Sequence, residues 1–402
     1  MAKGNAVIGQ SGGPTSVINS SLAGVIQEAA KHDKIGGVFG MRFAIQGFMK
    51  GNLIDLSREA PEIIEGLKKT PSSALGSSRH KLTDDDFPLI LETLKKYDIR
   101  YFFMIGGNDS MDTINRVVNY AGDNGWEMNG IGVPKTVDND LFGTDHTPGY
   151  PSAARYTALS VMQEGVLARD MQKVDQYVIY QSIGRDSGWL TAAAAAGKRS
   201  EDDAPHLIYL PERPFERKKF VADVKDAYEK YGWVSIAVGE GLTDADGKPV
   251  SASETTDKFE NVEFGAMGGV SVAMVLHQII GEEFDGWRGE FEVTESLPMS
   301  AADRASLVDV DEAYRLGAEA VRLAASGKSG SMVALERQPG PDYVTTIGTV
   351  PMEEVAVKTK PMPDEFINEA GNGVTKAFLE YLRPLVGELP KYVRLKGIPA
   401  EV

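Results

Sequence analysis

The sequence contains no cysteine, only five histidines and no long hydrophobic run, and each absence excludes a class of protein. Without cysteine, disulfides, thiolate zinc sites and cysteine nucleophiles are all excluded. The histidines are scattered and do not have the spacing of metal ligands. No stretch approaches the roughly 18 consecutive apolar residues that predict a membrane-spanning helix. The segment from Met1 to Gly9 lacks the apolar core of a secretory signal, so we expect a cytoplasmic protein without membrane contact.

Positive charge is also scarce. The 402 residues include 42 Lys and Arg against 58 Asp and Glu, which gives a net charge of −16. A strongly acidic chain repels nucleic acid, so we expect no nucleic-acid partner. If the substrates are anionic, local Arg, Lys, backbone N–H groups or a divalent cation must provide positive potential at the site. The length favours two packed domains, because single cores rarely grow beyond roughly 250–300 residues.

Predicted strands alternate with predicted helices along most of the chain. Short runs rich in Val, Ile, Tyr and Phe, without alternating polar residues, are typical of parallel strands buried on both faces. The predicted strands are Ala6–Ile8, Val38–Met41, Tyr101–Ile105, Gly130–Val133, Tyr177–Tyr180, Leu207–Leu210 and Val234–Val238. The predicted helices are Ile18–Ala29, Met111–Tyr120, Pro151–Met171, Gly188–Gly197, Phe220–Tyr231, Met267–Ile280 and Asp311–Ala325. This order predicts an α/β fold built on parallel sheets.

Glycine pairs follow two of the predicted strands, where ligands bind in open α/β sheets. Gly12 and Gly13 come before the first helix, where the backbone can approach a phosphate and the helix N-terminus favours an anion. A plain tight turn explains the pair equally well, and no Gly-Lys-Ser/Thr follows to make a Walker loop. In Gly106–Ser110, the carboxylate of Asp109 would suit a metal ion that bridges to phosphate, although it could instead cap a helix.

The segment Pro134–Asp140 follows a third strand and carries the residue types that phosphoryl transfer requires. Transfer to a hydroxyl needs a base, positive charge on the migrating group and a fixed orientation. Asp138 could be the base, Lys135 could supply the charge and Thr136 could supply a hydrogen bond. The alternative is an Asx-turn cluster beside a solvated lysine.

Two further strand ends combine glycine with charge. Arg185, in Gly184–Leu190, could clamp a phosphate through two hydrogen bonds. Glu240, in Gly239-Glu240-Gly241, could accept hydrogen bonds from sugar hydroxyls. Each segment alone could be an ordinary loop, but five such strand ends together indicate a binding site.

Taken in order, these motifs resemble those of the phosphofructokinase family over roughly residues 4–335. The matching segments are Gly12-Gly13, Leu75–Arg79, Gly106–Ser110, Pro134–Asp140, Ile183–Arg185, Gly188–Leu190 and Glu240. The resemblance implies two Rossmann-like parallel-sheet domains with the active site in the cleft between them. The implied diphosphate and Mg²⁺ domain is 1–140 with part of about 300–335. The implied sugar-phosphate domain is 141–300, and 336–402 is a C-terminal segment without an assignment.

The resemblance also implies a role for each matched residue. Asp138 corresponds to the base that deprotonates the sugar 1-hydroxyl, and Thr136 and Asp140 to residues that orient the phosphoryl group and the metal environment. The implied catalytic residues are Lys135, Thr136, Asp138, Asp140 and Arg185. The implied diphosphate ligands are Gly12, Gly13, Arg79, Gly107, Asp109 and Lys135. The implied substrate ligands are Thr136, Asp138, Ile183, Gly184, Arg185, Glu240 and Arg304. The implied ligands of the Mg²⁺ cofactor are Asn108 and Asp109.

Two residues, Asp109 and Lys135, predict the phosphoryl donor. Relatives that use ATP usually have glycine at both positions, where a carboxylate would crowd and repel the nucleotide, whereas lysine can neutralise diphosphate. The pair is similar to the diphosphate-dependent branch of the family. That branch implies a reversible, Mg²⁺-dependent transfer from diphosphate to the 1-hydroxyl of fructose 6-phosphate, in glycolysis, by a homodimer or homotetramer.

Three alternatives stay open. The first is an ATP-dependent enzyme of the same fold. The second is a non-catalytic regulatory subunit, which the presence of Asp138 disfavours because such subunits often lose the base. The third is a dinucleotide-binding dehydrogenase, which is disfavoured because the first turn lacks the Gly-x-Gly-x-x-Gly pattern.

The sequence departs from the family pattern at several positions. Asn108 stands where an aspartate is common, and its neutral amide is a poorer Mg²⁺ ligand. Ile183 stands where methionine is usual, and Gln176 where an arginine is expected. The usual Gln-Arg-Gly-Gly segment is replaced by Gly286–Arg304. These differences leave open an acceptor other than fructose 6-phosphate.

Overall fold

The computed structural model describes residues 3–251 and 270–395, which form helices around two separate sheets. The strands are β1 (Gly4–Gln10), β2 (Ile35–Met41), β3 (Leu53–Asp55), β4 (Ile99–Gly106), β5 (Asn129–Pro134), β6 (Tyr177–Ser182), β7 (Leu207–Tyr209), β8 (Val234–Gly239), β9 (Gly289–Val293), β10 (Ser331–Arg337) and β11 (Thr345–Pro351). The helices are α1 (Ile18–Ala29), α2 (Ala44–Met49), α3 (Pro61–Leu67), α4 (Asp86–Lys96), α5 (Asn108–Asp123), α6 (Tyr150–Asp170), α7 (Trp189–Ala192), α8 (Arg217–Tyr231), α9 (Val272–Glu283), α10 (Leu307–Ser326), α11 (Met352–Val357) and α12 (Lys376–Val386). Within the described ranges, no helix combines the length and apolarity that a membrane span requires.

The first sheet places three glycine- or charge-rich strand ends side by side. Its strand order is β11-β10-β5-β4-β1-β2-β3, and the five inner strands run parallel. Gln10 of β1 pairs with Ile105 of β4, and Gly106 of β4 pairs with Pro134 of β5. The segments that follow β1, β4 and β5 therefore meet at one edge of the sheet.

The second sheet, in the order β7-β8-β6-β9, is parallel throughout. Ser182 at the end of β6 pairs with Gly239 at the end of β8, which brings the loops of Arg185 and Glu240 together. The predicted α/β class with two parallel-cored sheets is confirmed. The structure adds antiparallel edge strands, β3 and β11, to the first sheet.

All of the predicted strands are present, with bounds that differ by a few residues at most. The segment predicted as a helix over Gly188–Gly197 forms α7 followed by a 3₁₀ helix over Ala193–Gly197. The helix predicted over Met267–Ile280 begins at Val272, and its first three predicted residues lie outside the described part of the chain. The limits of the two domains stay a prediction. Strands β6–β9 all fall within 141–300, and β10 of the first sheet begins at Ser331.

The C-terminal segment is packed into the core beside the second sheet. Phe378 and Leu382 of α12 are both 0 % exposed. The Trp189 ring lies 6.3 Å from the Phe378 ring and 5.5 Å from the Tyr381 ring. Residues of 336–402 therefore contribute to the hydrophobic core that also contains α6 and α7.

Two glycines allow helices α1 and α10 to cross at close range. A Cβ on Gly24 would overlap the carbonyl oxygen of Tyr314, and one on Gly317 would overlap the carbonyl oxygen of Ser21. Because α1 begins a few residues after the Gly12–Gly13 turn, this close packing also fixes the position of that turn.

Gly24→Ala is expected to lower the free energy of unfolding by about 1–3 kcal/mol, because the added methyl group forces the two backbones apart. Urea denaturation of the variant and the wild type measures the change. Gly122→Ala is the matched control, since Gly122 is an exposed residue of α5 with nothing near the added Cβ. It should leave stability unchanged or raise it by up to about 1 kcal/mol. A Gly24→Ala variant as stable as the wild type would contradict the close crossing.

Candidate active site

The loop 135–140, which follows β5, is held by both halves of the molecule. The backbone N–H of Thr136 donates to the carbonyl of Pro148 at 3.3 Å. The N–H of Asp138 donates to Oγ1 of Thr136 at 3.1 Å. The hydroxyl of Ser187, from the loop after β6, donates to the carbonyl of Asp138 at 3.0 Å. The loop therefore lies where the ends of the two sheets face each other.

Asn139 fixes the middle of this loop. Its backbone has φ of 56°, in the left-handed region, and its side chain is fully buried. Nδ2 donates to the hydroxyl of Tyr381 at 3.0 Å, and Oδ1 accepts from the N–H of Thr147 at 3.0 Å. Asparagine tolerates the left-handed conformation better than most residues, which suits it to this position between two aspartates.

Lys135 joins the loop to the turn that follows β1. The residue is only 5 % exposed, and its Nζ donates to the carbonyl of Gly13 at 2.5 Å. Gly12 has φ of 77°, and a Cβ there would lie 3.2 Å from Nζ of Lys135. The glycine turn thus exposes backbone beside a buried ammonium group, an arrangement suited to an anion.

Burial and neighbouring charges bring the ionisation of Asp138 and Lys135 towards neutral pH. Burial, followed by the charge of Asp140, raises the pKa of Asp138 to about 6, although Lys135 and Arg185 oppose the rise. Burial lowers the pKa of Lys135 to about 8, although Asp138 opposes the fall. At neutral pH the site therefore holds an ionised carboxylate of modest basicity close to a cation.

The second sheet contributes Glu240 and the Arg185 loop. Oε1 of Glu240 accepts from the backbone N–H of Gly184 at 3.1 Å. Burial, followed by the charge of Asp138, raises the pKa of Glu240 to about 7, while Arg185 opposes the rise. These mutual effects place Glu240, Arg185 and Asp138 within electrostatic reach of one another, with the Arg185 side chain exposed.

The segment 75–79 packs against the glycine turn. The hydroxyl of Ser77 donates to the carbonyl of Gly12 at 2.6 Å, and the N–H of Gly12 donates to the carbonyl of Ser78 at 3.4 Å. Oγ of Ser78 is buried and has no hydrogen-bond partner among the described residues. Arg79 is exposed and lowers the pKa of Lys135, so its charge also acts on this turn.

The predicted metal ligands lie at the start of α5, directly after the turn that ends β4. Asp109 is exposed, and the N-cap residue of this helix is Gly107, which has no side chain to cap it. Nδ2 of Asn108 donates to the carbonyl of Lys358 at 3.1 Å, which leaves Oδ1 as a possible ligand. Carboxylate and amide oxygens suit Mg²⁺, which usually combines one or two protein ligands with substrate phosphates. Within the described ranges, no cluster of three or more His, Asp or Glu could hold a metal unaided.

The side chains of two predicted ligands make other contacts in the structure. Nη1 of Arg304 donates to the hydroxyl of Ser160 at 3.1 Å, and its guanidinium lies 4.9 Å from the ring of Tyr156. Ser160 lies about 15 Å along α6 from the end of the helix that adjoins the 135–140 loop. The side chain of Ile183 packs against the hydrophobic core. The roles of Arg304 and Ile183 in binding substrate stay predictions.

Three residues from the C-terminal part of the chain hold the 135–140 loop and the start of α6, and none of them was predicted from the sequence. Lys360 and Tyr381 both bond to Asn139, and Asp309 accepts from the N–H groups of Gly149 and Ser152 at the start of α6. None of the three follows a strand or lies in a glycine-rich motif. Only Asn139, between two aspartates, carried a signal in the sequence.

The comparisons with known proteins place the chain in a family. The family model described as Phosphofructokinase matches residues 5–324. The chain belongs to the phosphofructokinase family.

Within that family, the chain is similar to diphosphate-dependent proteins over almost its whole length. It is 40 % identical over 405 residues to the pyrophosphate–fructose 6-phosphate 1-phosphotransferase of Rhodospirillum rubrum, covering 98 % of each chain. It is 37 % identical over 411 residues to the protein of the same name from Halomonas elongata, covering 98 % of this chain and 97 % of that one. The crystal structure of the pyrophosphate-dependent phosphofructokinase of Marinobacter aquaeolei matches with a TM-score of 0.87 and 35 % identity, over 99 % of this chain and 95 % of that one.

Proposed function

We propose that this protein transfers a phosphoryl group from inorganic diphosphate to the 1-hydroxyl of fructose 6-phosphate, which gives fructose 1,6-bisphosphate and phosphate. The observation that carries the proposal is the bond between the buried ammonium of Lys135 and the Gly12–Gly13 turn, beside the carboxylate of Asp138. The closeness of an ammonium, a glycine turn and a carboxylate supports their assignment as the cation, the phosphate-binding turn and the base of the reaction. The names of the similar proteins support diphosphate as the donor.

Asp138 acts as the base. Its carboxylate takes the proton of the sugar 1-hydroxyl while the hydroxyl oxygen bonds to the transferred phosphorus. The bond between that phosphorus and the bridging oxygen of diphosphate breaks, and the bridging oxygen leaves with the second phosphate. A pKa of about 6 suits the task, because the group is ionised at neutral pH and still able to bind a proton.

The positive charge comes from Lys135, Arg79 and Arg185, and it acts on a migrating group whose transition state carries spread negative charge. The turns at Gly12–Gly13 and at Gly107, after β1 and β4, provide backbone for the diphosphate. Asn108 and Asp109 would hold Mg²⁺ together with diphosphate oxygens, and the ion would neutralise part of the phosphate charge. These cations give the site a positive potential although the whole chain has a net charge of −16.

Thr136 and Asp140 hold the acceptor and the phosphoryl group in line. Glu240 accepts a hydrogen bond from a sugar hydroxyl while Gly184 holds its other oxygen. The sugar 6-phosphate is assigned to Arg304, which in the structure bonds to Ser160. We further propose that the protein is cytoplasmic, that it forms a homodimer or homotetramer, and that its reaction is a step of glycolysis.

Initial rates of fructose 1,6-bisphosphate formation, measured with Mg²⁺ and either diphosphate or ATP, test the proposal. We expect kcat/KM for diphosphate to exceed that for ATP by at least about 10²-fold, because Lys135 and Asp109 occupy the place of glycines that admit a nucleotide. Activity with ATP but not with diphosphate would contradict the assignment of diphosphate as the donor. If the protein used diphosphate but phosphorylated only another sugar phosphate, such as sedoheptulose 7-phosphate, the assignment of the acceptor would be wrong and that of the donor would still hold.

A further inference from the structure

A short piece of the C-terminal segment, residues 358–360, lies across two of the strand ends that form the site. The carbonyl of Lys358 accepts from Nδ2 of Asn108, at the start of α5, at 3.1 Å. Thr359 forms an antiparallel bridge with Leu141, directly after the 135–140 loop. The segment thus connects the predicted metal ligand to the loop that carries the base.

The side chain of Lys360 lies in the same region, and its hydrogen bonds to described residues all go to uncharged oxygens. Its Nζ donates to Oδ1 of Asn139 at 3.2 Å, to the carbonyl of Thr144 at 3.3 Å and to the carbonyl of Asp145 at 2.8 Å. It also lies 5.2 Å from the centre of the Trp189 ring. Lys360 forms no salt bridge with any residue in 3–251 or 270–395.

A lysine in this environment costs free energy. Withdrawing an ammonium from water is unfavourable unless a partner charge or several hydrogen bonds compensate. Burial lowers the pKa of Lys360 to about 8, so the group is still protonated at neutral pH. The hydrogen bonds to residues 139–145 and the nearby charges of Asp145 and Asp140 compensate for this cost, so the ammonium holds that stretch of chain.

The residue held most directly is Asn139, whose left-handed backbone separates Asp138 from Asp140. Asparagine adopts this conformation more readily than most residues, and here hydrogen bonds at both ends of its side chain hold it in place. Lys360 binds the Oδ1 atom of Asn139, and Tyr381 binds its Nδ2 atom. The N–H of Lys360 also donates to the carbonyl of Asp140 at 2.7 Å.

We propose that Lys360 is a positioning residue for phosphoryl transfer: through Asn139 it holds the carboxylates of Asp138 and Asp140 in the geometry that the reaction needs. The inference rests on the proposed function, since it assigns Asp138 as the base. Lys360 need not touch either substrate. Its charge also opposes the rise in the pKa of Asp140 that burial causes.

The absence of cysteine from the chain allows a sharp test. In Lys360→Cys the new thiol is the only one in the protein. Alkylation with 2-bromoethylamine, during refolding from mild denaturant, converts it to a thioether analogue of lysine and restores the ammonium.

We expect kcat of Lys360→Cys to fall about 10²-fold, as for a catalytic group displaced by about 1 Å. KM for both substrates should change less than about threefold, because the residue acts on orientation and not on binding. Alkylation should return kcat to within about tenfold of the wild type.

Two controls accompany the test. Wild-type protein treated with the reagent should keep its rate, since it has no thiol. Lys391→Cys replaces an exposed lysine of the same C-terminal segment, and its kcat should not change before or after alkylation. Tyr381→Phe, which removes one hydroxyl, is the second variant if Lys360→Cys does not fold, and its kcat should fall about tenfold with KM unchanged.

The outcomes separate this inference from the proposed function. A wild type without activity on diphosphate and fructose 6-phosphate would overturn the proposed function. Amide hydrogen exchange of residues 136–147 would then still test whether Lys360 holds this stretch of chain. We expect exchange to be faster in Lys360→Cys and to slow again after alkylation. An active wild type, with Lys360→Cys and Tyr381→Phe equal to it in kcat, would overturn the positioning role alone. So would a large loss that alkylation does not repair.

Discussion

Asp138→Asn is expected to lower kcat by about 10²–10⁴-fold, the usual contribution of a general base, with little change in KM for either substrate. The amide has nearly the shape of the carboxylate but cannot take the hydroxyl proton. Both hydrogen bonds that hold Asp138 in the loop come from its backbone and stay intact. Steady-state kinetics with both substrates varied measures the effect.

The acidic limb of the wild-type pH profile should include the ionisation of Asp138. The base acts in its ionised form, so activity should fall as the pH is lowered through the Asp138 pKa of about 6. Asp123→Asn is the matched control, because Asp123 is an exposed aspartate at the end of α5. Its kcat should equal that of the wild type. An Asp138→Asn variant with more than about a tenth of wild-type kcat would remove Asp138 as the base.

Lys135→Met is expected to lower kcat/KM for diphosphate by about 10²–10³-fold, the loss seen when one preorganised donor to a developing charge is removed. Methionine fills a similar volume without the ammonium that bonds to Gly13. The free energy of unfolding should change little, because the gain from removing a buried ammonium is offset by the loss of its attraction to Asp138 and of its bond to Gly13. Kinetics with varied diphosphate and a thermal melt measure the two quantities.

The basic limb of the pH profile should report the same lysine. The ammonium is the active form, so kcat/KM for diphosphate should fall as the pH rises through about 8, the pKa to which burial lowers Lys135. Lys95→Met, at an exposed position in the last turn of α4, is the control and should behave like the wild type. Unchanged diphosphate kinetics in Lys135→Met would contradict the role of Lys135 in binding the donor.

The strand ends that form the site could be predicted because β1, β4 and β5 are continuous apolar runs. β1, β4 and β5 are buried along nearly their whole length, and such runs stand out in a sequence. Parallel strands bring their carboxyl ends to one edge, so the glycines and charges that follow them had to converge. That inference predicted a binding site at these strand ends, and the resemblance to the family then assigned Gly12, Gly107 and Lys135 to the donor.

Three edge strands, β3, β9 and β11, were missed for the opposite reason, and the inner strand β10 was not predicted either. β9 alternates exposed and half-buried residues and carries Glu290 and Glu292 on the exposed positions, which reads as a polar segment. β11 has few buried residues as well. Their place in a sheet depends on the neighbour that they pair with, which the local pattern does not encode.

The C-terminal contribution to the site depends on contacts between residues far apart in the chain. Lys360 and Asn139 are 221 positions apart, and Tyr381 and Asn139 are 242 apart. A single lysine before a proline has no distinguishing pattern. For Arg304 the sequence motif suggested a role in binding substrate, but it did not show where the side chain lies. Its contacts with Ser160 and Tyr156 of α6 determine that.

The most direct test of phosphoryl transfer from diphosphate is ³¹P NMR of the protein with fructose 6-phosphate, diphosphate and Mg²⁺. The account predicts that the diphosphate signal declines while phosphate and a new sugar 1-phosphate ester appear in equal amounts. Added phosphate should then drive the reaction back towards diphosphate, and Asp138→Asn should slow both directions alike. Diphosphate that stays intact, or that is split to phosphate without a new ester, would contradict the account.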